Sequence, residues 1–149
     1  MAELTSTTAA PARRMTGIGR VLVVVYAIMA IGATGRSFVQ IVREFDEAPL
    51  AYTLSAAAAV VYILATLALV FSASDAWYRV AWVAIGFELV GVVIVGTLSV
   101  TLPELFFHPT VWSGYGIGYV FIPLVLPFLG LWWLITHRVA VPAAEGAPA

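Results

Sequence analysis

Two charged residues stand inside apolar stretches where charge is costly: Arg36 in IGATGRSFVQIV and Glu88 in WVAIGFELVGVV. An isolated charge at the centre of a membrane-spanning helix costs about 2.5–3.5 kcal/mol on insertion scales, so such residues face a protein interior, pair, or handle ions and protons. Helical spacing surrounds each with small or polar neighbours. Gly32 and Gln40 flank Arg36 at four-residue steps, and Arg43 follows seven on. Tyr52, Ser55, Ala59, Tyr62 and Thr66 form a second stripe at steps of three and four. Ala81, Ala84, Glu88, Gly91 and Ser99 form a third, and Gly114, Tyr115, Gly118 and Tyr119 open a fourth. Small residues let helix backbones approach closely in lipid, and polar ones bond across helices. The expectation is one intramembrane network of Arg36, Gln40, Tyr52, Ser55, Tyr62, Glu88, Tyr115 and Tyr119, with Gly32, Ala84 and Gly91 as close-packing positions.

The elements that carry these residues follow from composition. The 149 residues are 62% hydrophobic and 10% charged, with mean hydropathy +1.02. A water-soluble domain is about a quarter charged. The uncharged runs Ala48–Ser74 and Pro109–Thr136 each exceed the ~20 residues that a helix needs to cross a bilayer core. The expected fold is an all-α membrane protein, an up-down bundle of four transmembrane helices at about 21–42, 50–71, 80–100 and 114–135. Its short connections favour antiparallel neighbours. The tails 1–20 and 137–149 are Ala- and Pro-rich and are expected to be disordered. The first apolar run is longer than a signal-peptide core and is read as a retained span.

Arg13, Arg14, Arg20, Arg79 and Arg138 flank one set of span ends, and Arg43 alone the other. The arginine-rich side is expected to be cytoplasmic, which puts both termini inside a bacterial plasma membrane. The opposite side collects Glu44, Asp46, Glu47, Glu104 and His108. Trp77, Trp82, Trp112, Trp132 and Trp133 lie near predicted span ends, where an aromatic belt would sit. On this register Arg36 is six residues from one end of its span and Glu88 about eight from the opposite end of its own. The two differ in height by roughly 9 Å at 1.5 Å per residue, within reach of two long side chains with Tyr62 or a water between.

Other patterns carry less chemistry. Glu104 and His108 are spaced i, i+4 in LPELFFHP and could present two ligands on one helical turn, but two ligands do not make a metal site. Pro123 and Pro127 interrupt the fourth span and predict a kink. A net charge of −1 gives no electrostatic footprint for nucleic acid. Without cysteine, thiolate chemistry is absent. His108 and His137 do not lie mid-span, so paired-histidine haem ligation has no basis. No P-loop, nucleophile elbow or HExxH string occurs. The reading is of a non-enzyme with no cofactor and no metal.

FHPTVWSGYGIGYVFIPLVLPFLGLWWL, together with GATGRSFVQI and EAPLAYTLSAAAAVVYI, resembles a set of small actinobacterial-type four-span integral membrane proteins of unassigned function, over roughly residues 20–137. The resemblance implies a four-span bundle and carries no activity, cofactor or partner with it. Two roles remain open. The first is a structural or interaction subunit with a polar intramembrane core, partnered by the lipid bilayer and by a homodimer mate or another membrane complex. The alternative is a small-solute or proton-coupled transporter acting as a homodimer.

Overall fold

A computed structural model describes Met15 and residues 17–138 of the chain. Among the described residues the fold is all-helical, without strands. The helices are α1 (Gly17–Glu44), α2 (Pro49–Val70), α3 (Asp75–Thr101) and α4 (Ile122–Thr136). Helix α1 starts four residues before the expected span, so Gly17–Arg20 are helical rather than tail. The rest of both expected tails, apart from Met15, His137 and Arg138, lies outside the described residues, as do Arg13 and Arg14.

The boundaries have local causes. A 3-10 turn at Phe45–Glu47 reverses the chain after α1, and Pro49 opens α2 at a first-turn position, where its missing N–H costs nothing. Asp75 places a negative charge in the first turn of α3, beside the positive end of the helix dipole. Helix α1 packs along α2, α2 on α3 and α3 on α4, while α4 closes back on α1 more sparsely. Helix α2 makes its buried face largely from alanine, with Ala51, Ala58, Ala59, Ala65 and Ala68 all in the core, and so lets its neighbours approach closely.

Helices α1, α2 and α3 are each long and apolar enough to cross a membrane. The fourth expected span is not one helix. Two short 3-10 turns, Ser113–Tyr115 and Ile117–Tyr119, precede α4, and the bent pair turns through 98°. The expected kink at Pro123 and Pro127 gives way to this earlier break, because Gly114, Tyr115, Gly116, Val120 and Phe121 all take left-handed backbone conformations. Pro123 sits in the first turn of α4, where proline suits a helix, and Pro127 lies inside it.

The outward faces are apolar. Ile31 is 74% exposed and Val83 72%, with Phe38, Phe87, Val90 and Phe128 also prominent. That surface suits acyl chains rather than water. The expected tryptophan belt is corrected in part. Trp112 and Trp133 are buried in the core, whereas Trp77 and Trp82 are half-buried and Trp132 is exposed.

Candidate intramembrane carboxyl site

Glu88 is the central residue of α3 and has no solvent exposure. Its Oε2 accepts a hydrogen bond of 2.7 Å from the Tyr26 hydroxyl of α1. Its Oε1, equally buried, has no hydrogen-bond partner. The Tyr26 ring lies 6.3 Å from that of Tyr62 on α2, and the Tyr62 hydroxyl accepts a 3.2 Å bond from Trp112 Nε1. On the remaining side is Gly130 of α4. A Cβ there would come within 3.3 Å of the Tyr26 hydroxyl and 3.0 Å of Ile85, so glycine lets α4 pack tightly on this pair, and a larger residue would make both neighbours shift by a few tenths of an ångström. The carboxyl thus sits among two phenols, one indole and apolar side chains, with no cation beside it among the described residues.

Arg36 is elsewhere. Its guanidinium donates a 2.6 Å bond to the Pro109 carbonyl, and no carboxylate lies within salt-bridge distance of it among the described residues. The expected Arg36–Glu88 network is therefore corrected: the two residues belong to separate clusters. The buried stripe of α1 runs through Leu22, Tyr26, Met29, Ala33 and Ser37. Arg36 is one residue, or about 100° of helix, off that stripe, and so is Gly32. Gly32 is exposed, with the Tyr119 ring at 4.0 Å from a would-be Cβ as its nearest neighbour, so it is not a close-packing position between helices.

The second cluster ties the segment between α3 and α4 to the bundle. Arg36 holds Pro109, and Tyr62 holds Trp112. The Ser99 hydroxyl accepts from the Gly114 N–H at 2.8 Å, and Thr97 pairs with the Tyr115 hydroxyl at 3.0 Å. Trp112 lies on Gly91 and Tyr115 on Gly96, where a Cβ would come within 2.8 Å and 2.5 Å of the rings. Thr110 and Ser113 bond one another and their own backbone inside the segment. At its outer rim the Tyr52 hydroxyl reaches Glu44 and His108, each at 3.4 Å, and His108 lies 4.0 Å from Glu47.

Of the expected site residues, Glu88, Tyr62, Tyr52, Ser55 and Ala84 are buried, and Gly91 packs on Trp112. Tyr115 and Tyr119 are half-buried in the broken segment, and Tyr119 lies within electrostatic reach of Tyr62. Gln40 is half-buried, with an unpartnered Oε1. Glu104 falls in a 3-10 turn, Pro103–Leu105, that ends before His108, so the two do not share a helical turn. No set of three metal-ligating side chains assembles among the described residues.

Sequence reasoning missed Tyr26, Trp112 and Ser37. A mid-span tyrosine on the Leu22–Ala33 face was a usable signal for Tyr26. Nothing local marks Trp112 as an inward-turning residue.

Two outcomes follow for this architecture. Arg36→Gln removes a charged donor from the Pro109 carbonyl and costs about 1.5 kcal/mol, read as a lower melting temperature in detergent, with Arg36→Lys intermediate. Trp112→Phe keeps a ring on Gly91 but leaves the Tyr62 hydroxyl without its donor. It costs about 1 kcal/mol, in the range of interhelical hydrogen bonds in membranes, measured by the same melts. No family model, curated protein or solved structure matches this chain, so the site is read from its own chemistry.

Proposed function

We propose that this is a four-span protein of a bacterial plasma membrane, with both termini cytoplasmic and its fourth span broken, in which Glu88 binds and releases a proton during proton-coupled movement of a small solute. The observation that carries this reading is the complete burial of a lone carboxyl midway along α3, held by the Tyr26 hydroxyl and with no cation beside it among the described residues. A carboxyl retained only to lock helices together gains most from a cation or several donors, because a buried charge without them is costly. Intramembrane carboxyls are functional candidates by default. A broken span beside such a group is the arrangement in which irregular backbone is tolerated at membrane depth. Arginines at the start of α1 and α3 and just after α4, against a single Arg43 at the other end, support the orientation.

The test needs no knowledge of the solute, because the proton itself is the probe. Proteoliposomes adsorbed on a solid-supported membrane receive a pH step. The full chain gives a transient charge movement that Glu88→Gln lacks; identical transients in both would overturn the reading.

A structural or interaction subunit, alone as a homodimer or within a larger membrane complex, is the second reading. It draws support from the second polar cluster, which spends Arg36, Tyr62, Thr97 and Ser99 on stapling one segment. Under it, Glu88→Gln changes melting or self-association and leaves no proton signal to lose.

A further inference from the structure

We infer that, in the conformation of this structure and with no solute bound, Glu88 exchanges its proton with water at one end of the bundle only, the end that carries Glu44 and Glu47, along internal water held by the Ser37 and Ser55 hydroxyls. This rests on the reading of Glu88 as a proton-binding group and adds to it a route and a side.

The route is marked by unpartnered polar atoms. Ser37 is 4% exposed and Ser55 is fully buried, yet neither hydroxyl has a hydrogen-bond partner. Buried polar groups are nearly always satisfied, and where side chains do not do it, internal water with two to four partners does. Both serines lie on the faces that lead to the carboxyl. Ser37 shares the buried stripe of α1 with Tyr26, and Ser55 that of α2 with Tyr62. The antiparallel pairing that sets Tyr26 beside Tyr62, and Tyr52 beside Glu44, brings Ser37 and Ser55 to one level. Gln40 continues the line outward with a third unpartnered oxygen.

Between the serines and the tyrosine pair, α1 and α2 contribute the small side chains of Ala30, Ala33, Ala58 and Ala59 to the core, beside the flexible thioether of Met29. Seven residues of α2 separate Ser55 from Tyr62, roughly 10 Å at 1.5 Å per residue, a span for a few water molecules.

The opposite direction offers no such relay. Toward the ends flanked by Arg20 and Arg79 the buried side chains are apolar, with Leu22, Leu69, Ile85 and Leu134 among Ala65, Ala68 and Ala81. The Tyr78 hydroxyl there is committed to the Leu134 carbonyl, and Thr66 to the Tyr62 carbonyl of its own helix. The indole N–H of Trp133 is unpartnered, but it is a donor only and cannot accept a proton to pass on. The titratable groups facing Glu88 are Tyr26 from α1 and Tyr62 from α2, with Tyr119 beyond Tyr62. Helix α4 has no titratable side chain.

The experiment uses the full chain in sealed vesicles, sorted by orientation with a protease. Dicyclohexylcarbodiimide, which modifies protonated carboxyls from the lipid phase, is read at Glu88 by mass spectrometry while pH is stepped on one side at a time. With no solute present, labelling falls when pH rises on the Glu44–Glu47 side and does not respond to the other. The Ser37→Ala/Ser55→Ala double variant removes the two hydroxyls that hold the water; it still folds, as melting in detergent checks, yet its labelling response slows about tenfold, as a barrier higher by about 1.4 kcal/mol would require. A response from the arginine side or from both sides, or an unchanged rate in the double variant, overturns the route and leaves the proton-binding role standing. Absence of any pH-dependent labelling from either side overturns that role and the route with it.

Discussion

On the proposed proton-binding role, Glu88→Gln yields a folded protein that no longer responds to a pH step. The amide is nearly isosteric with the carboxyl, and its oxygen accepts from the Tyr26 hydroxyl as Oε2 does at 2.7 Å. Stability therefore stays within about 1 kcal/mol of the parent, the size of one exchanged hydrogen bond. The proton-linked charge movement disappears entirely, because no other carboxyl lies in the core: the remaining described acids, Glu44, Asp46, Glu47, Asp75 and Glu104, are exposed. Glu88→Ala separates the packing role from the protonic one. It removes the acceptor from a buried tyrosine and leaves a void at the meeting point of α1, α3 and α4, which together cost about 3 kcal/mol. A melting temperature that drops for alanine and holds for glutamine, with the proton signal lost in both, assigns the carboxyl its chemical rather than its structural part. The measurements are melts in detergent beside transients on a supported membrane.

Gly116→Ala destabilises the chain by about 3 kcal/mol. Two independent terms add. Gly116 has φ of +83°, a conformation in which a Cβ costs about 1–2 kcal/mol. That Cβ would also fall 2.6 Å from both Cδ and Cγ of Pro123, a rigid ring in the first turn of α4 that cannot swing aside, and overpacking of this kind costs about 1–3 kcal/mol. The melting temperature drops by roughly 10 °C, the scale expected for a chain of this length. Gly118→Ala, two residues on, meets nothing within 4 Å and has no left-handed backbone, so it melts close to the parent. The contrast tests whether the segment between α3 and α4 is held in its left-handed turn. A continuous fourth helix would instead make both alanines stabilising, since alanine outranks glycine in helices.

Much of the architecture was legible as composition and run length. Three uncharged or nearly uncharged stretches became α1, α2 and α3 within a few residues of expectation, because an apolar stretch of about 20 residues satisfies its backbone only by winding into a helix. The burial of Tyr52, Ser55, Tyr62, Ala84 and Glu88 followed from spacing. The choice between Arg36 and Ser37 did not. They are adjacent, both polar and about 100° apart, and only packing against α2 turned Ser37 inward and left Arg36 to the Pro109 carbonyl. Gly32 and Ala33 repeat the same ambiguity one turn earlier.

The sequence by itself determined that this chain builds apolar helices and that one carboxyl is stranded midway along the third. The tertiary structure decided what that carboxyl touches. It supplied Tyr26 as the donor, moved Arg36 into a separate cluster, and broke the fourth apolar stretch into left-handed turns that carry Trp112 into the core. The physical reason is that the outward faces of this bundle are as apolar as its interior, so the contrast that marks the buried face of a helix in a water-soluble protein is missing here. Helix rotation is then set by small residues, by shape and by a few hydrogen bonds, and those partners come from distant parts of the chain that no local pattern can name.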